Sequence, residues 1–456
     1  MLTELLDPTP FVAEPVGRAA AAIVRTLRQG GYEAWLAGGC VRDVVLGTPP
    51  KDFDVATSAH PDQVSALFEK VIPTGARFGT VTVLLGGQSV EVTTLREETA
   101  YSDGRRPDHI RFGASLEEDA RRRDFTVNAL FADPDSGRVL DYWGGLADLR
   151  SRRIRAVGEP GERFDEDALR LLRMVRFAVR LGSSIDFETE RAARARCDRL
   201  RLLSAERIRE ELTKMLLGPR PADAVSLLEK LGFLDEVLPE VAQTRGVPQP
   251  PKYHPEGDVY FHTVDVLDRL RPVKLVTALA ALFHDVGKTR SLTVTDRIRF
   301  HGHEYVSCEM AEPRLRGLTF SNAIIEDVLD LVREHIRFGG YLQWRRATQL
   351  RFLEKANIED HLSLHRADRG SAGGDLAVAE LAERMLAERA AAPPPMRTLL
   401  SGDDLQRLGY RPGPQFRHML EALRDEQLEG RVATTADAEA FVLREFPLES
   451  RPGDGR

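Results

Sequence analysis

The sequence predicts an α/β head, with a mixed sheet and helices, followed by an all-α body. In roughly the first 150 residues, strand patterns alternate with short helical patterns, and glycine or proline turns separate them. From about Glu162 onward, apolar residues recur at helical spacing and the strand patterns fade. A chain of 456 residues is long enough for several domains.

Local patterns predict the elements of the head in order. Residues 16–30 have apolar side chains near helical spacing, which predicts an amphipathic helix. The segment YEAWLAGG predicts a strand that ends in a glycine turn, CVRDVVLG a short helix, and DFDVAT the next strand. Residues 81–85 and 89–93 predict a hairpin around Gly86–Gly87.

Composition narrows the class of protein. The chain is 42% hydrophobic and 30% charged, and its apolar runs fall far short of the roughly 20 residues that a membrane span needs. A net charge of −7 argues against broad nucleic-acid binding, although clusters such as Arg121–Arg123 can grip phosphates or simply form solvated faces. Three scattered cysteines and the absence of a signal-peptide pattern lead us to expect a cytoplasmic protein that does not engage a membrane.

The most informative stretch of the head joins a glycine turn to two carboxylates. Gly38 and Gly39 lead into the short predicted helix, whose N-terminal N–H groups can face a phosphate, and Arg42 adds a cation. Asp52 and Asp54 are two residues apart, so on a strand both carboxylates lie on one face. Such a pair can hold Mg²⁺ together with substrate phosphates, and two such ions can support phosphoryl transfer. The alternative is an ordinary surface turn.

The pattern GGxVRDxxLGxxxxDxD, read over residues 38–54, resembles the signature of the class II tRNA nucleotidyltransferase and bacterial poly(A) polymerase family. That family belongs to the polymerase-beta-type nucleotidyltransferases. Further motifs resemble it in the expected order, at residues 122–128 (RRDFTVN), 166–173 (EDALRLLR) and 204–212 (SAERIREEL). The likeness implies a template-independent nucleotidyltransferase that uses Mg²⁺.

The resemblance implies roles for individual side chains. Asp52 and Asp54 would be catalytic metal ligands, and Glu91 is either a third carboxylate of that site or a plain surface glutamate. Asp167 and Arg170, three residues apart and expected on one helix face, would read the edge of a base, unless they form a common surface ion pair. The remaining residues with implied nucleotide contacts are Gly38, Gly39, Arg42, Arg123, Asp124, Asn128, Arg173 and Arg176.

Two segments bear on which branch of the family the chain resembles. Residues 73–82 resemble the GTVTV segment of the CCA-adding branch, and residues 96–107 resemble the loop needed for the final A addition. These likenesses imply tRNA as partner and CTP and ATP as substrates. An enzyme that adds only the A, or a poly(A) polymerase, is the alternative.

The body contains a second candidate site. His284–Asp285 ends an apolar helical run, with His262 upstream and Asp368 downstream, and this order resembles the HD superfamily of metal-dependent phosphohydrolases. The likeness implies one divalent metal held by these four residues. His303 and His335 are further candidates that would extend the site to two ions, and His301 is a candidate for the surrounding shell. Singly, each histidine could equally be an ordinary core or surface residue.

These observations predict four regions: a nucleotidyltransferase head at residues 1–150, a helical neck with the base-reading helix at 151–240, an HD-type metal-binding domain at 241–386 and a helical tail at 397–450. The HD domain would be either a phosphohydrolase acting on RNA ends or a vestigial brace. Two hypotheses of other classes are an HD hydrolase with an RNA-binding head and a non-catalytic RNA-binding scaffold. The clustered carboxylates of the head argue against both.

Overall fold

The computed structural model describes residues 2–99, 109–250, 257–295, 297–391 and 398–448. The chain forms two compact units. The first unit comprises Met1–Gln243 with Arg314–Phe320, and the second comprises Thr244–Pro313 with Ser321–Arg456. No helix among the described residues is both long enough and apolar enough to span a membrane.

The first unit contains twelve strands and thirteen helices among the described residues, excluding short 3-10 turns. The strands are β1 Leu2–Leu5, β2 Ala34–Ala37, β3 Asp54–Thr57, β4 Val71–Gly75, β5 Thr80–Leu85, β6 Gln88–Thr94, β7 Arg96–Thr99, β8 His109–Phe112, β9 Leu130–Ala132, β10 Arg138–Asp141, β11 Arg153–Ile154 and β12 Ser184–Ile185. The helices are α1 Thr9–Val12, α2 Pro15–Gln29, α3 Gly39–Val45, α4 Pro61–Leu67, α5 Leu116–Arg121, α6 Gly145–Arg150, α7 Pro160–Glu166, α8 Leu169–Leu181, α9 Phe187–Arg194, α10 Ala205–Leu216, α11 Pro221–Leu231, α12 Leu234–Val237 and α13 Pro239–Ala242.

An eight-stranded mixed sheet organises the head, in the order β1-β10-β9-β2-β3-β6-β5-β4. The central strands β3 and β6 are parallel, whereas β5 and β6 form the predicted antiparallel hairpin. The apolar face of α2, with Ile23, Val24 and Leu27, is fully buried, as the helical pattern predicted. The sheet therefore presents the N-terminal end of β3 and the matching position of β6 next to each other.

The second unit is helical, with one small hairpin. Its elements are α14 Val259–Arg269, α15 Leu275–Phe283, α16 Lys288–Ser291, β13 Leu292–Val294, β14 Ile298–Phe300, α17 His303–Gly317 (which ends in the first unit), α18 Asn322–Phe338, α19 Arg346–Phe352, α20 Ile358–Ser371, α21 Ala377–Ala391, α22 Gly402–Arg407, α23 Gln415–Leu428 and α24 Thr435–Glu445. The α/β head and helical body confirm the predicted fold class.

Helix α15 explains how the second unit buries polar residues. Seven of its residues, Thr277–Phe283, are buried, so the helix runs through the core. It delivers His284 and Asp285 into the interior at its C-terminal end, where both side chains are about 1–2% exposed.

Two local predictions were wrong. Strand β3 begins at Asp54, so Asp52 precedes the strand instead of sharing a strand face with Asp54. The long helical pattern around residue 167 is interrupted, because Asp167 has extended backbone angles between α7 and α8. Asp167 and Arg170 therefore do not lie on one helix face.

Candidate functional sites

A cavity of about 1070 Å³ opens within the first unit. One wall comes from the sheet and the turn before α3, and the other from α8 and α10. The cavity brings together the candidate catalytic and nucleotide-binding residues that the sequence singled out in the head and neck, namely Gly38, Gly39, Arg42, Asp52, Asp54, Glu91, Arg123, Asp124, Asn128, Asp167, Arg170, Arg173 and Arg176.

Three carboxylates meet on the sheet side of this cavity. Asp54 of β3 pairs in parallel register with Glu91 of β6, and Asp52 lies just before the strand. Burial, followed by the charges of Glu91 and Asp52, raises the pKa of Asp54 to about 6, while Arg123 acts in the opposite direction. The Asp54 side chain is exposed to the cavity. The surrounding protein atoms nevertheless limit the hydration of its carboxylate. A group of oxygen ligands that repel one another suits a hard divalent cation.

The glycine turn before α3 depends on Gly38. Its φ of +71° is a left-handed value that favours glycine, and its N–H donates to the carbonyl oxygen of Leu130 across 3.0 Å. A Cβ at this position would lie 3.0 Å from Nη1 of Arg123. The turn therefore combines a backbone conformation and a close approach that a larger residue would disturb.

A chain of hydrogen bonds links α3 to α8 beneath the cavity. Arg42 donates to Oδ1 of Asn128 across 2.6 Å, and Asn128 donates to Oδ1 of Asp124 across 2.9 Å. The guanidinium of Arg173 contacts the other oxygen of Asp124 at 2.7 Å. Although burial raises the pKa of Asp124, the Arg173 charge and these hydrogen bonds lower it to about 2. Asp124 and Asn128 thus orient two arginines in this structure.

The two residues expected to read a base have separate partners. Asp167 accepts a hydrogen bond of 2.8 Å from Arg207 on its Oδ2. Arg170 donates to Glu166 and to the backbone oxygens of Arg163 and Arg122. These contacts occupy both Nη1 hydrogens and one on Nη2. Nε of Arg170 has no hydrogen-bond partner among the described residues, so it remains available as a donor.

Helix α10 supplies two residues whose roles we did not predict. Besides Arg207, its Glu211 is buried and accepts a hydrogen bond of 2.6 Å from Nε of Arg176. Phe177 also lines the cavity. The 204–212 motif marked this helix, but single sequence positions gave no signal of which side chains would meet across 35 residues or more.

The arginine clusters outside the cavity are largely neutralised. Arg153 and Arg155 both contact Asp148, Arg191 pairs with Glu188 and Arg194 with Glu190. These pairs support the interpretation of solvated, ion-paired faces for those clusters.

The second unit gathers the histidines and aspartates predicted for the body. Ligand atoms of His262, His284 and Asp368 lie within 4.8 Å of one another, and so do those of Asp285, His303 and His335. These six residues come from five segments of the chain that meet in the core of the second unit. His301, by contrast, is exposed.

The orientation of the imidazoles is fixed from outside the cluster. Nδ1 of His284 lies 2.8 Å from the carbonyl oxygen of Ala281, and Nδ1 of His303 lies 2.8 Å from that of Phe300. Nδ1 of His262 lies 3.2 Å from the Ser371 hydroxyl. Each Nε2 therefore points inward, which is the usual arrangement for histidines that bind a metal.

Asp285 lies at the centre of this cluster. Its Oδ1 is 3.2 Å from Nε2 of His303, and its Oδ2 is 3.3 Å from Nε2 of His284. Oδ2 also accepts a hydrogen bond of 2.6 Å from Lys288, whose ammonium donates in turn to Gln249 across 2.7 Å. Lys288 and Gln249 are contacts that we did not predict, although Lys288 follows Asp285 at helical spacing.

The buried donor set fits a divalent metal. Nε2 of His335 is buried, lies 3.8 Å from Asp285 Oδ1 and has no hydrogen-bond partner among the described residues. Burial and the neighbouring His284 lower the pKa of His335 to about 3, so its imidazole is neutral. Burial opposes ionisation of Asp285, but the charges of His284 and Lys288 hold its pKa well below the usual range. An ionised carboxylate and a neutral imidazole such as that of His335 are forms that coordinate metals. Although burial opposes it, the hydrogen bond to Asp285 raises the pKa of His303, so a metal at this position would displace a proton.

Known domain patterns match the chain in the same order as these sites. The poly A polymerase head domain matches residues 34–155, the probable RNA and SrmB-binding site of polymerase A matches residues 182–244, and the HD domain matches residues 258–373. A CCA-adding enzyme of Lactobacillus helveticus is 47% identical over 221 residues, which cover 48% of this chain and 54% of that protein. The chain therefore contains a poly A polymerase head domain, the RNA-binding region matched after it and an HD domain, and about half of its length is similar to CCA-adding enzymes.

Further similar proteins give the same picture. A CCA-adding enzyme of Geobacillus thermodenitrificans is 46% identical over 230 residues, covering 50% of this chain and 56% of that protein. The chain thus spans about half the length of the curated relatives it matches. The crystal structure of the Bacillus stearothermophilus CCA-adding enzyme in complex with CTP is 28% identical with a TM-score of 0.74, and covers 95% of this chain and 98% of that chain.

A more distant structure, the Thermotoga maritima CCA-adding enzyme complexed with tRNA-CCA, is 18% identical and has a TM-score of 0.65. It covers 98% of this chain and 99% of that chain, and it supports the fold alone. Residues 100–107 of the candidate loop at 96–107 lie outside the described part of the chain, as do residues 251–256 before His262.

Proposed function

We propose that the first unit transfers nucleotides to the 3′ end of a tRNA. The observation that carries this proposal is the single cavity that holds three carboxylates on one wall and a set of arginines on the other. Relatives described as CCA-adding enzymes, and a similar structure solved with CTP, support C and A as the added nucleotides.

The chemistry follows from the two walls. The 3′ oxygen of the RNA forms a bond to the α-phosphorus of CTP or ATP, the bond to the pyrophosphate oxygen breaks, and the hydroxyl proton leaves to the carboxylate side. Asp52, Asp54 and Glu91 would hold two Mg²⁺ ions, which stabilise the developing charge and lower the pKa of the attacking hydroxyl. Arg42, Arg173 and Arg176 would bind the triphosphate, so that catalysis depends on position and charge stabilisation.

Asp167 and Arg170 can distinguish bases by hydrogen bonding. Cytosine and adenine both present an exocyclic amino donor beside a ring-nitrogen acceptor. The Asp167 carboxylate can accept from the amino group, and the Nε–H of Arg170 can donate to the ring nitrogen. Uracil and guanine present the reverse order at these positions, so they would leave buried groups unpaired.

The experiment that tests this function uses three tRNA transcripts that end before CCA, after C or after CC. Each is incubated with CTP, ATP or both in Mg²⁺, and the products are sized on a gel. We expect completion of all three. Extension of only the CC-ended transcript would instead indicate an enzyme that adds the final A, and a long A tail with ATP alone would indicate a poly(A) polymerase.

Asp54→Ala provides the matching loss-of-function variant. It should abolish nucleotide addition while tRNA binding persists, because only the carboxylate cluster is changed. Asp62→Ala, an exposed aspartate on α4, is the control and should retain activity. Comparable turnover by Asp54→Ala would refute the assignment of the site.

We propose a second activity, hydrolysis of a phosphate ester by the HD domain. The supporting observation is the set of inward-facing Nε2 atoms around Asp285. His262, His284, Asp285 and Asp368 would hold a divalent metal that supplies an activated water, and His303 and His335 would extend the site to a second ion. A phosphohydrolase acting on RNA ends could restore the free 3′ hydroxyl that nucleotide addition requires.

Metal content and turnover separate this activity from a vestigial domain. The bound metal is measured by mass spectrometry in the full chain, in His284→Ala and in the exposed control His301→Ala. Hydrolysis is then assayed on RNA that ends in a 3′ phosphate or a 2′,3′-cyclic phosphate. Metal with hydrolysis supports the proposal, whereas metal without hydrolysis indicates a structural role.

We also propose a cytoplasmic location, since Cys40, Cys197 and Cys308 are all free thiols.

A further inference from the structure

One aromatic ring in the cavity is shared by three arginines. The centre of the Phe177 ring lies 4.3 Å from Cζ of Arg176, 5.2 Å from Cζ of Arg173 and 5.3 Å from Cζ of Arg42. The side chain is largely buried, packs edge-on against Phe125 and borders the cavity. A guanidinium within about 6 Å of a ring centre is attracted by the negative charge of the ring face.

Each of these arginines also has its own carboxylate. Arg42 contacts Asp43 at 2.7 Å, Arg173 contacts Asp124 at 2.7 Å, and Arg176 contacts Glu211 at 2.6 Å. The three carboxylates lie in three different segments: α3, the turn after α5, and α10. The carboxylates therefore offset the mutual repulsion of the arginines. The hydrogen bonds through Asn128 and Asp124 relate Arg42 to Arg173, whereas Glu211 holds Arg176 from a separate helix.

The ring of Phe177 lies close to all three guanidiniums and so relates their positions to one another. Arg173, Arg176 and Phe177 lie within about one turn of α8, and the guanidinium of Arg42 approaches the same ring from α3 in the opposite wall. A triphosphate that enters the cavity needs cations at a defined spacing. A fixed spacing costs less free energy on binding than one that has to be assembled.

We infer that Phe177 is a positioning residue for the triphosphate of the incoming nucleotide. This inference rests on the proposed nucleotidyl transfer and names a residue of that same site. Phe177 acts through Arg42, Arg173 and Arg176 and touches no base-reading group in the described contacts. Its effect therefore falls on affinity for the triphosphate, equally for CTP and ATP, and not on the choice of base.

The test replaces Phe177 with mono-, di- and trifluorophenylalanine in the full chain. Ring fluorination weakens the attraction for cations stepwise and changes the size of the side chain little. The Kd of Mg-ATP and of Mg-CTP is measured by calorimetry, together with kcat at saturating nucleotide and the Tm. We expect Kd to rise with each fluorine, by about tenfold across the series and alike for both nucleotides, with kcat and Tm nearly constant.

Phe177→Leu extends the test with a matched control, Phe233→Leu, at a fully buried position of the same unit. Both variants should lower the Tm, but only Phe177→Leu should weaken nucleotide binding. A constant Kd across the fluorinated series would overturn the inference, and so would a loss confined to one of the two nucleotides. If the unmodified protein binds neither nucleotide, the proposed function itself fails, which is a different outcome.

Discussion

Arg207 donates a hydrogen bond of 2.8 Å from its Nη2 to Oδ2 of Asp167, and so joins helix α10 to the junction of α7 and α8. The other oxygen of Asp167 accepts a hydrogen bond of 3.0 Å from the backbone N–H of Leu169. Both oxygens are therefore oriented by the protein before any nucleotide arrives. An acceptor that is already oriented loses less conformational entropy when it forms a hydrogen bond with a base.

Arg207→Gln should weaken base selection, because Asp167 loses the partner that orients its Oδ2. We expect the preference for CTP and ATP over UTP and GTP to fall by about tenfold. The measurement is kcat/KM for single-nucleotide addition with each of the four triphosphates. Arg209→Gln, two residues along the same helix, is the control, since Arg209 donates to Thr319 and should leave selectivity unchanged. Unchanged selectivity in Arg207→Gln would remove this residue from base reading.

The contact between Arg207 and Asp167 also accounts for a break in the helix that the sequence pattern did not predict. The helical pattern of residues 166–181 was continuous, so it predicted one helix. In the structure the Asp167 side chain bonds to the backbone two residues onward, and Arg207 holds its other oxygen, so the helix is broken there. Aspartate commonly competes with helix geometry in this way, but its partner 40 residues away cannot be read from local spacing.

The larger features were predictable because they follow from local patterns. Alternating and helical periodicity predicted the sheet, the hairpin and the helical body, and the resemblance to the HD superfamily predicted a second cluster that includes His284, Asp285 and Asp368. The partners that orient these residues were not predictable. Lys288 meets Gln249, and Arg176 meets Glu211, only because tertiary packing brings distant segments together.

Asp54→Asn should stabilise the metal-free protein while it abolishes nucleotide addition. The pKa of Asp54 is higher in the folded protein than in the unfolded chain, because the folded state disfavours its ionised form. At every pH above the pKa of the unfolded chain, the ionised carboxylate therefore lowers the free energy of unfolding. The asparagine removes the repulsion from Glu91 and Asp52, and should raise the Tm by about 2 °C for each kcal/mol relieved. Thermal melts with and without Mg²⁺ measure this effect. Mg²⁺ should raise the Tm of the wild type more than that of the variant, and an equal response of both would contradict the assignment of Asp54 as a metal ligand.

Asp124→Asn should lose stability in a pH-dependent way. The pKa of Asp124 is lowered from 3.8 to about 2, so its ionised form stabilises the fold at neutral pH by about 2 kcal/mol. That contribution is complete above about pH 4 and is lost as the pH falls toward 2. Denaturant melts of wild type and variant between pH 7 and pH 3 measure the difference in unfolding free energy, which should shrink with acid. Asp62→Asn, at an exposed position, gives the baseline; a difference that stays constant with pH would show that the charge of Asp124 is not what stabilises the fold.

Gly287→Ala should disable the second site, although Gly287 itself supplies no candidate ligand. A Cβ there would lie 2.2 Å from the carbonyl oxygen of His303 and 2.5 Å from the backbone nitrogen of Ser307, so the start of α17 would have to move. Overpacking of this kind typically costs about 1–3 kcal/mol, and the movement would separate His303 from Asp285. We expect a lower Tm and reduced bound metal, with nucleotide binding by the first unit preserved. Gly317→Ala, later in α17, is the matched control because its added Cβ meets nothing within 4 Å. Full metal content at the wild-type Tm in Gly287→Ala would mean that the contact between Gly287 and α17 does not hold His303 in place.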